Sequence, residues 1–147
     1  MSTILIIIAG VVIYSIIRFA IDYYNTAQKN TLKGGLITKH QAFAEYCASP
    51  LRMNRMELVI NSGDRLEYRL PIKNNDAIVG YIHFGIYDVF TVVAYCKAVS
   101  KNGYTHKGFS KEINNWRNFD STDYDPIFES LFAAIVNSKD FQLLGFE

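Results

Sequence analysis

Residues 56–72, MELVINSGDRLEYRLPI, carry the reading on which the fold turns. Met56, Leu58 and Ile60 alternate with Arg55, Glu57 and Val59, and a period of two is that of an extended strand. Asn61-Ser62-Gly63-Asp64 has turn composition. Beyond it Leu66, Tyr68, Leu70 and Ile72 point one way, and Arg65, Glu67 and Arg69 the other. This pattern predicts an antiparallel hairpin with one apolar and one wet face. Pro71 has no N–H to donate, which suggests an edge position near the end of the second strand.

The pattern extends toward the C-terminus. Residues 73–76, KNND, form a turn, and residues 77–87 a third strand. Residues 89–99, VFTVVAYCKAV, are apolar on both faces and predict a central strand. Asn102-Gly103 is the favoured pair for a two-residue type I′ turn, returning the chain into a fifth strand over residues 104–109. Ile113, Trp116 and Phe119 recur every three residues and favour a helical turn. A last helix is well specified. Asp125 is its expected cap, Pro126 takes the first helical position, and Glu129 complements the helix dipole in the first turn. Ile127, Phe128, Leu131, Phe132, Ile135 and Val136 make one apolar stripe that only a sheet can bury here. The apolar tail at 141–146 is expected to dock. The fold class is therefore α+β: an antiparallel sheet of about five strands packed against a C-terminal amphipathic helix.

Toward the N-terminus lies a different kind of segment. Residues 3–21, TILIIIAGVVIYSIIRFAI, carry no charge before Arg18. As a helix they run about 28 Å, close to the ~30 Å hydrocarbon core of a bilayer. Met1-Ser2-Thr3 has no basic side chain, and no small-residue cleavage motif follows the apolar run. The stretch is accordingly read as a single-pass signal-anchor, with Ile4, Ile8, Val12 and Ile16 facing lipid. Arg18 reaches the headgroups, and Tyr23 and Tyr24 lie in the interfacial belt. Arg18, Lys29, Lys33 and Lys39 all follow the apolar run, so the domain is expected in the cytoplasm and the N-terminus outside. Gly34-Gly35 ends the helix, dividing the chain into an anchor and juxtamembrane helix (1–33) and a compact domain (34–147). Residues 38–48 predict a short helix capped by Thr38, with Phe43, Tyr46 and Cys47 on one face and His40 on the solvated surface.

Composition narrows the chemistry. With 15 Lys+Arg against 14 Asp+Glu, the chain lacks the basic footprint of a general nucleic-acid binder. Cys47 and Cys96 read as small buried hydrophobes rather than a disulfide framework. His40, His83 and His106 fall in no zinc-ligand spacing, and Asp120, Asp123 and Asp125 miss the calcium-loop pattern, so no metal or cofactor is expected. A Cys96–His83 nucleophilic pair is conceivable on neighbouring strands, but a core strand denies the thiolate access. Lys97, Lys101, Lys107 and Lys111 gather around the Asn102-Gly103 hairpin.

These readings point to a membrane-anchored protein whose domain binds another protein, as a tether, an assembly component or an inhibitor or immunity-type partner. Tyr104, His106 and Lys107 are the candidate binding residues, because an edge strand there can pair with a partner through its backbone. The competing reading is a small membrane-bound enzyme using His83 or His106. A deep pocket lined by one of these histidines would favour the enzyme, and a flat tyrosine-rich sheet face the binder.

Overall fold

A computed structural model describes residues 2–49 and 56–142. The elements run α1 (Ser2–Leu32), α2 (Leu36–Lys39), α3 (Gln41–Ala48), β1 (Glu57–Asn61), β2 (Arg65–Asn74), β3 (Ala77–Asp88), β4 (Val92–Ser100), β5 (Thr105–Ile113), α4 (Asp125–Val136) and α5 (Lys139–Gln142). Two 3₁₀ turns, Trp116–Asn118 and Ser121–Tyr124, separate β5 from α4. The five strands form one antiparallel sheet in chain order, β1-β2-β3-β4-β5, and α4 packs on it. The expected α+β architecture is the observed one.

Parity decides which side chains meet. Leu66, Tyr68, Ile82, Phe84, Ile86, Ala94, Cys96 and Ala98 share the face covered by α3 and α4, where Phe43, Phe128, Leu131 and Ile135 are buried against them. Aromatic rings fill the space between the helices: Phe43 stacks on Phe128 at 5.2 Å and meets Tyr124 at 5.4 Å and Tyr68 at 5.9 Å. β4 is buried on both faces for most of its length, as its unbroken apolar run requires. The cysteines are free and buried, and burial pushes the Cys96 thiol up to about 12. Cys96 faces the helices while His83 faces away from them, so the two are not a nucleophilic pair.

Several local expectations are corrected. The 38–48 helix is two helices broken at His40, whose ψ of 53° leaves the helical region, and Thr38 lies inside α2 rather than capping α3. A bulge between Leu58 and Ile60 breaks the alternation of β1, leaving both Leu58 and Val59 exposed. Arg55, part of the same expected alternation, lies outside the described residues. β2 is an inner strand, and its described pairing with β1 runs from Asn61 to Glu57, opposite Leu66 to Arg69, while Pro71 pairs with Tyr81 on β3. Asn102-Gly103 is not a type I′ turn. Only Gly103 has positive φ there, and a three-residue loop closes on Ser100 and Tyr104. The paired positive φ values of a two-residue turn belong instead to Asn75 and Asp76. β5 extends to Ile113, and the helical turn predicted after it is the 3₁₀ turn at Trp116. Asp125 is the first residue of α4 and not its cap; Asp120 caps the preceding turn, accepting from Thr122 N and Asp123 N. Phe132 and Val136 are part-exposed at 38% and 37%, outside the buried stripe. Phe141 packs against the core, whereas 143–146 lie outside the described residues.

α1 is long and apolar enough over Leu5–Leu32 to cross a membrane, by length and composition, and its apolar window is not buried inside the structure. Ile8, Val12 and Ile16 are exposed, as are Tyr23 and Tyr24; Arg18 reaches Tyr14 Oη at 3.3 Å, and Ile4 lies in the first turns of the helix. The polar end of α1 rests on the sheet. Tyr23 donates to Asp64 at 2.6 Å, and Asn30 Nδ2 donates to the Gly63 carbonyl at 2.8 Å. Gly63 lies so close to α1 that a Cβ there would overlap the Ala27 carbonyl.

Candidate functional site on the open face of the sheet

The face turned away from α4 is built from the opposite phase of each strand. Register places Arg65 beside Tyr87 and Val93; Glu67 beside Gly85, Tyr95 and Ser110; Arg69 beside His83, Lys97 and Gly108. The alternation of β2 predicts a wet face for Arg65, Glu67 and Arg69. Arg65 and Arg69 are partly exposed, but Glu67 is buried at 2% exposure. The cause is Gly85, which stands between Glu67 and Tyr95 in the same cross-strand row. A Cβ at Gly85 would overlap the Tyr95 ring. With no side chain there, Tyr95 lies across β3 and its hydroxyl reaches Glu67 Oε2 in a very short hydrogen bond. His83 Nδ1 lies 2.5 Å from Oε1, and Lys97 Nζ donates to Oε2 at 3.1 Å.

Burial alone would raise the Glu67 carboxyl. Hydrogen bonds from His83, Tyr95 and Lys97, together with the Lys97 charge, outweigh it and hold the group at about 2. An ionised carboxylate only accepts, so the proton in the His83 contact sits on Nδ1. Burial, then the bond to Glu67, drives the Tyr95 hydroxyl well above its usual range. A carboxylate held ionised by three donors is ill suited to proton transfer near neutral pH, and a phenol raised this far is no base. The cluster instead fixes the side chains around it. Tyr87 stacks on Tyr95 at 4.7 Å, Arg65 lies 5.8 Å from the Tyr87 ring, and Arg69 lies 4.5 Å from the Tyr81 ring while pairing with Glu57 at 2.8 Å. The outcome is a set of cations and tyrosine rings held on a rigid sheet.

A second acid–histidine pair is enclosed between sheet and helices. His40, expected on the surface, is 2% exposed and lies 2.6 Å from Asp88 Oδ2, which also binds Lys39 at 2.8 Å. Burial would raise Asp88, but the bonds from His40 and Lys39 lower it overall. Trp116 lies against His40 at 4.2 Å. This group ties the α2–α3 break to the end of β3.

The sequence-predicted binding residues stand elsewhere. Tyr104 is 69% exposed in the hairpin loop, His106 meets its ring edge-on at 5.0 Å, and Lys107 lies over Phe109; His106 and Lys107 are on β5, an edge strand. Lys97, grouped with them by sequence, belongs to Glu67. A cavity of about 500 Å³ opens between α3, α4 and the sheet, lined by Tyr46, Met56, Leu70, Phe84, Phe128 and Phe132 with Asp125 and Glu129. None of its described lining residues is a histidine, and it lies on the opposite side of the sheet from His83. Among the described residues no group of three or more His, Cys, Asp or Glu is placed to hold a metal ion. No family model, curated protein or solved structure matches the chain.

Proposed function

We propose that this chain is a single-pass membrane protein whose α+β domain is a protein-interaction module in the cytoplasm, a tether, assembly component or inhibitor of a membrane-proximal partner. The carrying observation is the open face, where Arg65, Arg69 and Lys97 stand among Tyr81, Tyr87 and Tyr95 around a locked carboxylate. Tyrosine and arginine are the side chains that supply most binding energy at interfaces, and pre-organisation lowers the ordering cost of docking. The cations favour a partner surface rich in carboxylates and carbonyls. The anchor supplies locality: a domain tied to a bilayer meets membrane partners at high effective concentration.

The test is capture of partners by the detergent-solubilised full-length chain, comparing wild type with Tyr87→Ala and with Arg69→Glu. Loss of the same captured protein in both variants, with unchanged melting, supports the reading. Retention in both variants, with loss only when His83 is replaced, points to the enzyme instead. Orientation is tested separately with a membrane-impermeant thiol reagent on intact cells, since Cys47 and Cys96 are buried. Ser2→Cys should label and Asn102→Cys should not. The reverse pattern places the domain outside the cell.

A further inference from the structure

The contacts of α1 define how the sheet sits relative to the helix. The end of β1 lies at the C-terminal end of α1, where Asn61 Nδ2 donates to the Gly34 carbonyl at 3.1 Å. The β1–β2 turn meets Asn30 and Ala27, and Asp64 meets Tyr23. The β3–β4 turn comes lower still: the Phe90 ring lies 4.7 Å from Phe19 and 6.5 Å from Tyr23. Between Asn30 and Phe19 the helix advances roughly 16 Å at 1.5 Å per residue. Over the same interval the sheet steps two strands, roughly 10 Å. The strand-stacking direction therefore has a large component along α1, descending from β1 toward the apolar run. β5 closes the sheet on that side, so it is the strand edge turned toward the membrane end of α1, at about the level of the Phe90 turn.

The chemistry of that edge agrees with its position. Residues 101–117 contain Lys101, Lys107, Lys111 and Arg117 against a single acid, Glu112. Lys101, Lys111 and Arg117 are exposed. Phe90 is 55% exposed at the tip of its turn although large and apolar, and Tyr104 is 69% exposed. The opposite edge, β1, carries Glu57, already paired with Arg69. We infer that β5 lies against the surface of the bilayer that α1 spans, with Phe90 at the acyl–headgroup boundary and the β5 cations on anionic headgroups. Aromatic side chains favour that boundary, and basic side chains are attracted to an anionic leaflet within a Debye length. An edge strand so covered is also closed to unwanted pairing. The inference rests on α1 being transmembrane.

The full-length chain, reconstituted in phosphatidylcholine–phosphatidylserine vesicles and in phosphatidylcholine alone, can be spin-labelled at one site at a time: Phe90→Cys, Lys111→Cys, Glu57→Cys and Val12→Cys. Accessibility to oxygen and to a water-soluble nickel chelate then reads depth. In mixed vesicles the labels at 90 and 111 should be several-fold less accessible to nickel than the label at 57. A label at 111 as accessible as that at 57, with 12 still in lipid, overturns the inference and leaves the anchor standing. A nickel-accessible label at 12 overturns the transmembrane reading itself. Protection at 111 with spin–spin broadening that grows with protein-to-lipid ratio assigns the edge to a second copy and overturns the lipid assignment. Lys101→Glu combined with Arg117→Glu should raise nickel access at 90 in mixed vesicles and leave it unchanged in phosphatidylcholine; no change in either sinks the electrostatic part.

Discussion

The two faces of the sheet solve the problem of burial by opposite means. Under α3 and α4, burial is achieved chiefly by volume: Phe43, Tyr68, Phe84, Tyr124 and Phe128 interdigitate, and the His40–Asp88 pair is the polar exception at the end of β3. On the open face, burial is achieved by leaving volume out. Gly85 is the gap that lets Tyr95 lie flat and seal Glu67. The first arrangement tolerates hydrophobic exchange and resists charge. The second depends on donors matched to one carboxylate, so it is sensitive to pH and to a single added methyl group. That difference suits a stable core on one side and an oriented surface on the other.

The sharpest break of the comparison is a charge in the helix-covered face. Leu131→Asp places a carboxylate where Leu131 is 6% exposed, and the expected loss of several kcal/mol is comparable to the whole stability of a small domain. Thermal unfolding of the detergent-solubilised chain should show no cooperative transition. Phe132→Asp, at a part-exposed position on the cavity rim, should keep the transition at a lowered midpoint. Equal damage from the two would mean that α4 is rotated from the orientation described.

Next comes the gap itself. Gly85→Val should displace Tyr95 and leave Glu67 without its hydroxyl donor, costing about 2–3 kcal/mol in denaturant unfolding. A second readout is Tyr87, which stacks on Tyr95 and should lose its fixed environment in the near-ultraviolet dichroism. An unchanged spectrum would show that the network does not depend on the empty position.

The pH response separates the faces without touching the core. Glu67 is held at about 2 against an ordinary value of 4.5, so its ionised form is favoured by folding. Its contribution, roughly 2–4 kcal/mol, is complete above about 4.5 and is lost as pH falls from there through about 2. The stability difference between wild type and Glu67→Gln should therefore be largest near neutrality and shrink over that window. A difference that stays constant down to pH 2 would remove the carboxylate charge from the account. The smallest effect is expected at the hairpin. Tyr104→Ala with His106→Ala removes an exposed ring and its edge-on neighbour, and the midpoint should move by less than about 0.5 kcal/mol equivalent.

Much of the fold was legible because its signals are local. The period-two run of β2, the unbroken apolar run of β4, the Pro126 start of α4 and the apolar length of α1 each lie within one segment, and segment-scale pattern reports which faces are apolar. Turn chemistry is less decisive. Asn102-Gly103 had the favoured composition, but the two-residue turn formed at Asn75-Asp76, where the strand register closes directly from Asn74 to Ala77. The signal for the open-face site was parity alone: Glu67, His83, Tyr95 and Lys97 all fall in the phase opposite the core. Parity says which side a residue points to and nothing about whether that side is dry.

What the amino-acid order determined by itself was the long apolar helix, the strand sequence and the helix that closes the sheet, because each is set by neighbours a few residues apart. Only the tertiary structure decided that Glu67 and His40 are buried. Their partners stand 16 to 48 residues away, at His83, Tyr95, Lys97 and Asp88. Only the tertiary structure seated the sheet against α1 through Tyr23, Asn30 and Phe19 as well. A side chain's solvation depends on whatever packs over it, and that covering comes from parts of the chain that local pattern cannot relate.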